Sequence, residues 1–260
     1  MLRPRIIACL LVSNKGLVKT VGFGDPKYVG DPINAVKIFN EKEVDELVVL
    51  DIDATVQGNG PDYKMIQQLA VECRMPLCYG GGVKSAEHAK TIIGLGVEKV
   101  AVSAALVENP NLVVAMAEEI GSQSVVAVLD LKKKRLSSRY EVWTHNGTVN
   151  TGKTAPEFAS ELQRLGVGEI VINSIDNDGR MKGYDLTMVS QVREAVDVPL
   201  SVLGGAGSLE DIAQLIGKFG VIGAAAGSLF VFKGAYRAVL INYPSAAQRD
   251  QLIRNHLPGA

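Results

Sequence analysis

Arg5-Ile6-Ile7-Ala8-Cys9-Leu10-Leu11 recurs about 120 residues later as Ser124-Val125-Val126-Ala127-Val128-Leu129-Asp130, and that spacing decides the fold. A second pair keeps the offset: Gly81-Gly82-Val83-Lys84-Ser85-Ala86-Glu87 matches Gly204-Gly205-Ala206-Gly207-Ser208-Leu209-Glu210. A chain that repeats itself over half its length points to a closed, symmetric architecture. Around each copy, short β-branched runs alternate with longer amphipathic ones, the pattern of βα units on a parallel sheet. Strands are expected at residues 6–11, 46–50, 77–79, 99–102, 125–129, 169–173, 200–203 and 221–225. Helices are expected at 32–42, 63–72, 86–95, 110–120, 156–165, 186–195, 209–218 and 246–255, several opened by a cap such as Asp31-Pro32, Asn109-Pro110 or Ser208-Leu209-Glu210. The strands are almost continuously apolar, as strands covered on both faces are.

Eight strands and eight helices with an internal repeat predict one α/β domain over residues 1–260, a (β/α)8 TIM barrel with half-barrels of about 1–120 and 121–245. An open doubly wound sheet would explain the alternation but not the repeat. Two excursions, 13–29 and 131–150, follow equivalent strands, so both should rise over the same face; the second reads as a hairpin turning at Asn146-Gly147.

The bulk numbers exclude several classes. Net charge is -1 over 260 residues with both signs interspersed, which gives no footprint for nucleic acid or an anionic membrane surface. No window approaches a spanning helix, and no secretory leader opens the chain. Cys9, Cys73 and Cys78, an odd number on apolar segments, read as reduced thiols and a cytoplasmic location. No metal-type cysteine spacing or cofactor motif occurs, so neither a metal nor a cofactor is expected.

The glycine pairs after strands three and seven let the backbone approach a ligand, and each leads into a helix start where free N–H groups favour an anion. Gly82 and Gly205 therefore become phosphate-binding candidates, joined by Ser103-Ala104 and Gly227-Ser228 at the neighbouring strand ends. The plainer reading of these glycines is tight turns. Asp130 ends strand five, where barrel catalytic groups sit; otherwise it caps a helix or pairs with a lysine. Asp51, Asp53, Asp176 and Asp178 follow strands two and six as candidates for ligand hydroxyls, although Asp178-Gly179 also suits a simple turn. Lys19, in the first excursion, either clamps substrate or lies free at the surface. At the opposite strand ends stand Arg5, Glu46, Lys99 and Glu169. Each alone would be a solvated flank; together they would form a buried, mutually compensated layer. His88 and His256 fall in helices and His145 in the second excursion, without ligand spacing.

These residues are similar to those of the HisF family, the cyclase subunits of imidazole glycerol phosphate synthase. The resemblance runs through Gly30-Asp31-Pro32, Asp45-Glu46-Leu47-Val48, Gly80-Gly81-Gly82, Val107-Glu108-Asn109-Pro110, Asn150-Thr151-Gly152, Ser174-Ile175-Asp176, Gly183-Tyr184-Asp185 and Gly204-Gly205-Ala206-Gly207. It implies a HisH-like glutaminase partner on the strand N-terminal face and passage of ammonia through the barrel. It also implies an ammonia gate at Arg5, Glu46, Lys99 and Glu169, and a phosphorylated ligand bound near Gly82, Ser103, Ala104, Asp178, Gly179, Gly205, Gly227 and Ser228. Two catalytic aspartates belong to the family pattern, at the ends of strands one and five.

The chain departs from that pattern at two places. Leu11 stands where the first aspartate belongs, and a leucine transfers no proton; Ser13 and Asn14 are poor substitutes. Ser103-Ala104 replaces an Asn-Thr pair at the first phosphate site. A complete gate with an altered cyclase centre resembles the HisF-like paralogues associated with glycosyl amidation in surface-polysaccharide pathways. There the implied acceptor of ammonia is an ATP-dependent sugar amidotransferase. The alternatives are a true cyclase-lyase relying on Asp130 and Lys19, or a related phosphosugar isomerase, which also needs the missing aspartate.

Overall fold

A computed structural model describes residues 3–234 and 236–258; residues 1, 2, 235, 259 and 260 of the expected 1–260 domain lie outside the described residues. Eight parallel strands close on themselves: β1 (Arg5–Ser13), β2 (Glu46–Asp51), β3 (Leu77–Gly80), β4 (Lys99–Val102), β5 (Val125–Lys133), β6 (Glu169–Ser174), β7 (Leu200–Leu203) and β8 (Gly223–Ala226). Closure is made by β8 pairing β1, with Arg5 opposite Gly223 and Ile7 opposite Ala225. The order makes a (β/α)8 barrel, and no described helix is long and apolar enough to cross a membrane.

Between the strands lie α1 (Pro32–Glu41), α2 (Tyr63–Glu72), α3 (Ala86–Gly94), α4 (Leu112–Ile120), α5 (Ala155–Arg164), α6 (Leu186–Arg193) and α7 (Leu209–Phe219), with α8 (Ala246–His256) closing the circuit. Asp31 and Ser208 accept from backbone N–H groups of α1 and α7 as their sequence context predicts. Asn109 does not cap α4. It ends an extra one-turn helix, Ala104–Glu108, so Pro110 and Asn111 form a turn and α4 starts two residues late. The outer core packs Leu10, Leu47, Leu69 and Phe158 between sheet and helices. The inner core holds the opposite strand faces, among them Ile7, Val48, Cys78, Val126 and Val171, as strand alternation requires.

The first excursion is more regular than a loop. β1 runs on to Ser13 and folds back as Gly16–Val21, which pairs Gly24–Gly30. Both turns of this hairpin carry two consecutive positive φ angles, at Asn14-Lys15 and Gly22-Phe23, the twist that two-residue hairpins need. The second excursion extends β5 and returns as Tyr140–Thr144 and Val149–Thr154. The two hairpins cross the barrel mouth in opposite directions. Thr20 Oγ1 and the Phe23 N–H of the first donate to Asp178 after β6, and Asn146 of the second donates to the Ile52 carbonyl after β2.

Candidate functional site

At the N-terminal strand ends the four expected charges form a closed ring. Arg5 pairs with Glu46 and, at 2.7 Å, with Glu169. Lys99 Nζ lies 2.8 Å from Glu46 and 2.8 Å from Glu169. Both carboxylates are buried, while the two cations keep a share of solvent. Burial works against the Lys99 charge, yet the attraction of Glu169 and Glu46 outweighs it and holds the ammonium above its ordinary pKa. Burial likewise opposes the Glu169 carboxylate, and Arg5 and Lys99 reverse it, so Glu169 sits below its ordinary value.

A fifth member joins the ring, one that strand patterning alone does not disclose. Ser201, fully buried on β7, donates to Glu169 Oε1 at 2.6 Å. It fits because β8 begins with Gly223: a Cβ there would lie 1.9 Å from Ser201 Oγ. Nothing in a lone Ser within Leu200–Leu203 signals this. Only the register of β7 against β8 brings the two together.

Above the ring runs a narrow space of about 10 Å³ lined by Glu46, Glu169 and Ser201 at one end and by Ile7, Cys78 and Val126 along its wall. That is about the volume of one water-sized molecule. Its far residues, Cys9, Leu50, Ala101, Val128 and Leu203, also line the large cavity on the opposite face. Ring, lumen and cavity therefore lie in line. Cys9 and Cys78 face this lumen as free thiols, and burial pushes both up, Cys9 to about 11; neither is a ready thiolate.

The cavity at the C-terminal strand ends measures about 280 Å³. It brings together most of the upper-face candidates: Leu11, Lys19 and Asp130; Gly82, Ser103 and Ala104; Asp178, Gly179 and Gly205; Gly227 and Ser228. The glycine turns carry positive φ, with Gly82 at 69° and Gly205 at 112°, and a Cβ on Gly205 would meet the Gly183 carbonyl at 2.1 Å. These positions thus need glycine for the fold as well as for an open cradle.

Asp130 accepts from Asn173 Nδ2 at 3.0 Å, its partner in the β5–β6 register. Burial pushes its carboxyl up to about 7, against the Asn173 hydrogen bond and with a small contribution from Asp178. Asn173, only 6% exposed, leaves its Oδ1 without a partner among the described residues, beside Gly204. Lys19 is not a surface lysine: the hairpin buries it to 5%, and Nζ donates to the Cys9 carbonyl at 2.8 Å. Burial lowers its proton affinity, partly offset by Cys9 and Asp178.

The acids after β2 and β6 divide. Asp53 accepts from Ser13 Oγ and the Asn14 N–H, and Asp176 from the Lys133 N–H. Both pin the base of an excursion, in equivalent places of the two halves, and neither lines the cavity. Asp51 and Asp178 do line it, but Asp51 accepts from the Asp53 and Ala54 N–H groups and Asp178 Oδ2 holds the first hairpin. His145, which has no ligand spacing in the sequence, sits on the cavity wall beside Asn146. Its signal is the excursion's position rather than any motif.

A family model described as histidine biosynthesis protein matches residues 5–237. A Leptospira borgpetersenii protein provisionally named imidazole glycerol phosphate synthase subunit HisF is 55% identical, covering 97% of this chain and 99% of that protein. A Vibrio vulnificus YJ016 protein provisionally named imidazole glycerol phosphate synthase subunit hisF3 is 56% identical over 97% of each chain. The imidazole glycerol phosphate synthase subunit HisF of Clostridium botulinum strain Okra is 37% identical, over 90% of this chain and 92% of its own.

Proposed function

Since the chain belongs to the HisF family of imidazole glycerol phosphate synthase subunits, we propose that it receives ammonia at the charged ring and conducts it to the upper cavity. The source is a class I glutaminase of the HisH type docked over the ring. The destination is a separate ATP-dependent amidotransferase acting on a nucleotide sugar in surface-polysaccharide synthesis. The observation that carries this reading is the continuity of ring, apolar lumen and cavity around a leucine. Ammonia is neutral and small, so an apolar passage of about 10 Å³ suits it and disfavours ammonium. Leu11 then presents hydrocarbon where a two-aspartate site would hold a second proton-transfer group.

The sharp step in identity supports the same reading. Relatives at 55% and 56% carry provisional or numbered subunit names, while the plainly named Clostridium subunit stands at 37%. That is the spacing of a separate branch within one family.

A cyclase-lyase reading has its own support. Asp130 holds its proton up to about 7, which suits a general acid or base at neutral pH, and both glycine cradles remain. Cyclase assays with ammonium salt bypass the glutaminase and separate the two. Conduction predicts negligible turnover by the natural chain, with Leu11→Asp raising it by about 10²–10⁴-fold, the usual contribution of one acid–base group. Substantial turnover by the natural chain, abolished by Asp130→Asn, would establish the cyclase instead. Lys99→Ala, in a complex reconstituted with the glutaminase, is expected to lower the ratio of ammonia used to glutamine hydrolysed. An unchanged ratio would make the ring structural only.

A further inference from the structure

A concentration of like charge lies outside the ring, the lumen and the cavity. Lys132-Lys133-Lys134-Arg135-Leu136-Ser137-Ser138-Arg139 forms the far turn of the second excursion, five cations within eight residues of a chain whose net charge is -1. Lys132 lies over the Trp143 ring, and Lys134 pairs with Glu141 at 2.8 Å. Lys133, Arg135 and Arg139 are exposed and form no ion pair among the described residues. At the apex Leu136 is 100% exposed. The turn is braced. Gln191 of α6 donates to the Ser138 carbonyl at 2.9 Å, Tyr140 Oη donates to Asp185 at 2.7 Å, and Asp176 accepts from the Lys133 N–H. The last contact ties the turn to the loop after β6, where Arg180 and Lys182 are also exposed and without an ion pair among the described residues. That loop carries Asp178 and Gly179 of the cavity wall. A basic rim with an apolar apex therefore borders the upper mouth on its β5–β6 side.

An exposed leucine alone needs no explanation, and unpaired cations close together repel one another without helping the fold. Combined, they have the anatomy of a protein interface, an apolar anchor inside a charged surround. Nucleic acid or a free phosphosugar would engage the cations and leave the leucine idle. We propose that this rim is the docking surface for the ATP-dependent amidotransferase that takes up the ammonia, which meets it with an acidic face and an apolar socket for Leu136. The inference rests on the conduction reading, in which the acceptor enzyme covers the upper mouth. Charge complementarity fixes the partner's chemistry, with Asp and Glu side chains opposite Lys133, Arg135, Arg139, Arg180 and Lys182. Burial of the leucine supplies affinity that salt does not screen. The rim charges supply encounter rate and orientation, which salt does screen.

The test starts in the cell. The full chain, with Leu136 replaced by photoreactive p-benzoylphenylalanine, is expressed in its own host beside its glutaminase and irradiated. Cross-linked proteins are identified by mass spectrometry and assayed for ATP-dependent transfer of ammonia to a nucleotide sugar. The expected product is an adduct with an enzyme of that activity, at a peptide rich in Asp and Glu. The same label at Val71, 78% exposed on α2, should give no adduct with that enzyme. With the purified enzyme, Arg135→Glu combined with Arg139→Glu should weaken binding about tenfold at about 50 mM NaCl and far less at about 500 mM. Leu136→Ser should weaken it about tenfold at both. A Leu136 adduct with the glutaminase, a second copy of the chain or nucleic acid in place of that enzyme overturns the proposal, as does no adduct at all. So does an amidotransferase whose binding ignores both sets of substitutions. Conduction fails separately: an amidotransferase adduct, found while Lys99→Ala leaves the ratio of ammonia to glutamine unchanged, would uphold the docking and remove the gate.

Discussion

The two mouths of the barrel handle charge in opposite ways. At the lower mouth Arg5, Glu46, Lys99 and Glu169 satisfy one another, and Ser201 takes up a remaining carboxylate lone pair. At the upper mouth Lys19 has only a main-chain carbonyl, Asn173 leaves Oδ1 unpaired, and Asp130 has one amide donor. A self-satisfied charge layer is complete without a ligand, whereas polar groups buried without partners are costly until a ligand supplies them. The lower mouth is thus complete as a structural layer, and the gating and binding proposed for the two mouths draw on this difference.

Breaking the lower layer gives the largest expected effect on stability. Glu169→Gln leaves Arg5 and Lys99 half-buried and short of a counter-charge, and removal of one partner from a buried pair costs about 3–5 kcal/mol. Because both cations keep some solvent, about 3 kcal/mol is expected by urea denaturation at pH 7. Asn173→Leu in the upper cavity should cost less, about 2 kcal/mol, since it removes an unsatisfied acceptor but leaves the buried Asp130 carboxyl without its amide donor. Equal losses at the two sites would erase the contrast.

Much of this contrast is legible in the chain itself. Apolar runs mark all eight strands, and the charges flanking four of them align into one layer because strand starts share one end of a barrel. Asp130 is legible for the same reason at the other end. Ser201, Asn173 and His145 are not. Each takes its meaning from a residue far away in sequence, through strand register or an excursion that folds back. Lys19 looks like a loop residue because nothing in the run 13–29 discloses that its hairpin turns the side chain inward. Asp53 and Asp176 mislead: their place after strands two and six suggests ligand contact, and backbone N–H groups claim them first.

The mouths should also titrate in opposite senses. Burial raises Asp130 in the folded chain to about 7, so the folded state binds the extra proton. Its favourable contribution is complete below the unfolded carboxyl pKa near 4 and is lost as pH rises towards 7. Glu169 is depressed, so its contribution is present above the unfolded value and is lost as pH falls through its folded pKa. Asp130→Asn should therefore flatten the fall in stability between about pH 4 and pH 7, by about 2 kcal/mol after allowance for water in the cavity. Glu169→Gln should act only below that window, apart from its constant loss. Parallel pH–stability curves for the two variants would show that burial does not distinguish the sites.

The smallest effect is the most local. Ser201 gives Glu169 a short hydrogen bond at 2.6 Å from a fully buried hydroxyl, while Arg5 and Lys99 supply the carboxylate with its counter-charge. Ser201→Ala removes one donor to a charged group and leaves both ion pairs, so about 1.5 kcal/mol is expected, at the low end for such bonds. Gly223→Ala attacks the same contact from β8. A Cβ at 1.9 Å from the hydroxyl forces the serine off Glu169 or the strands apart, so its cost should exceed that of Ser201→Ala. In the double variant the hydroxyl that would clash is gone, and the loss should fall below the sum of the two single losses. Strict additivity would mean that the hydroxyl and the glycine act separately, and that the ring is four-membered after all.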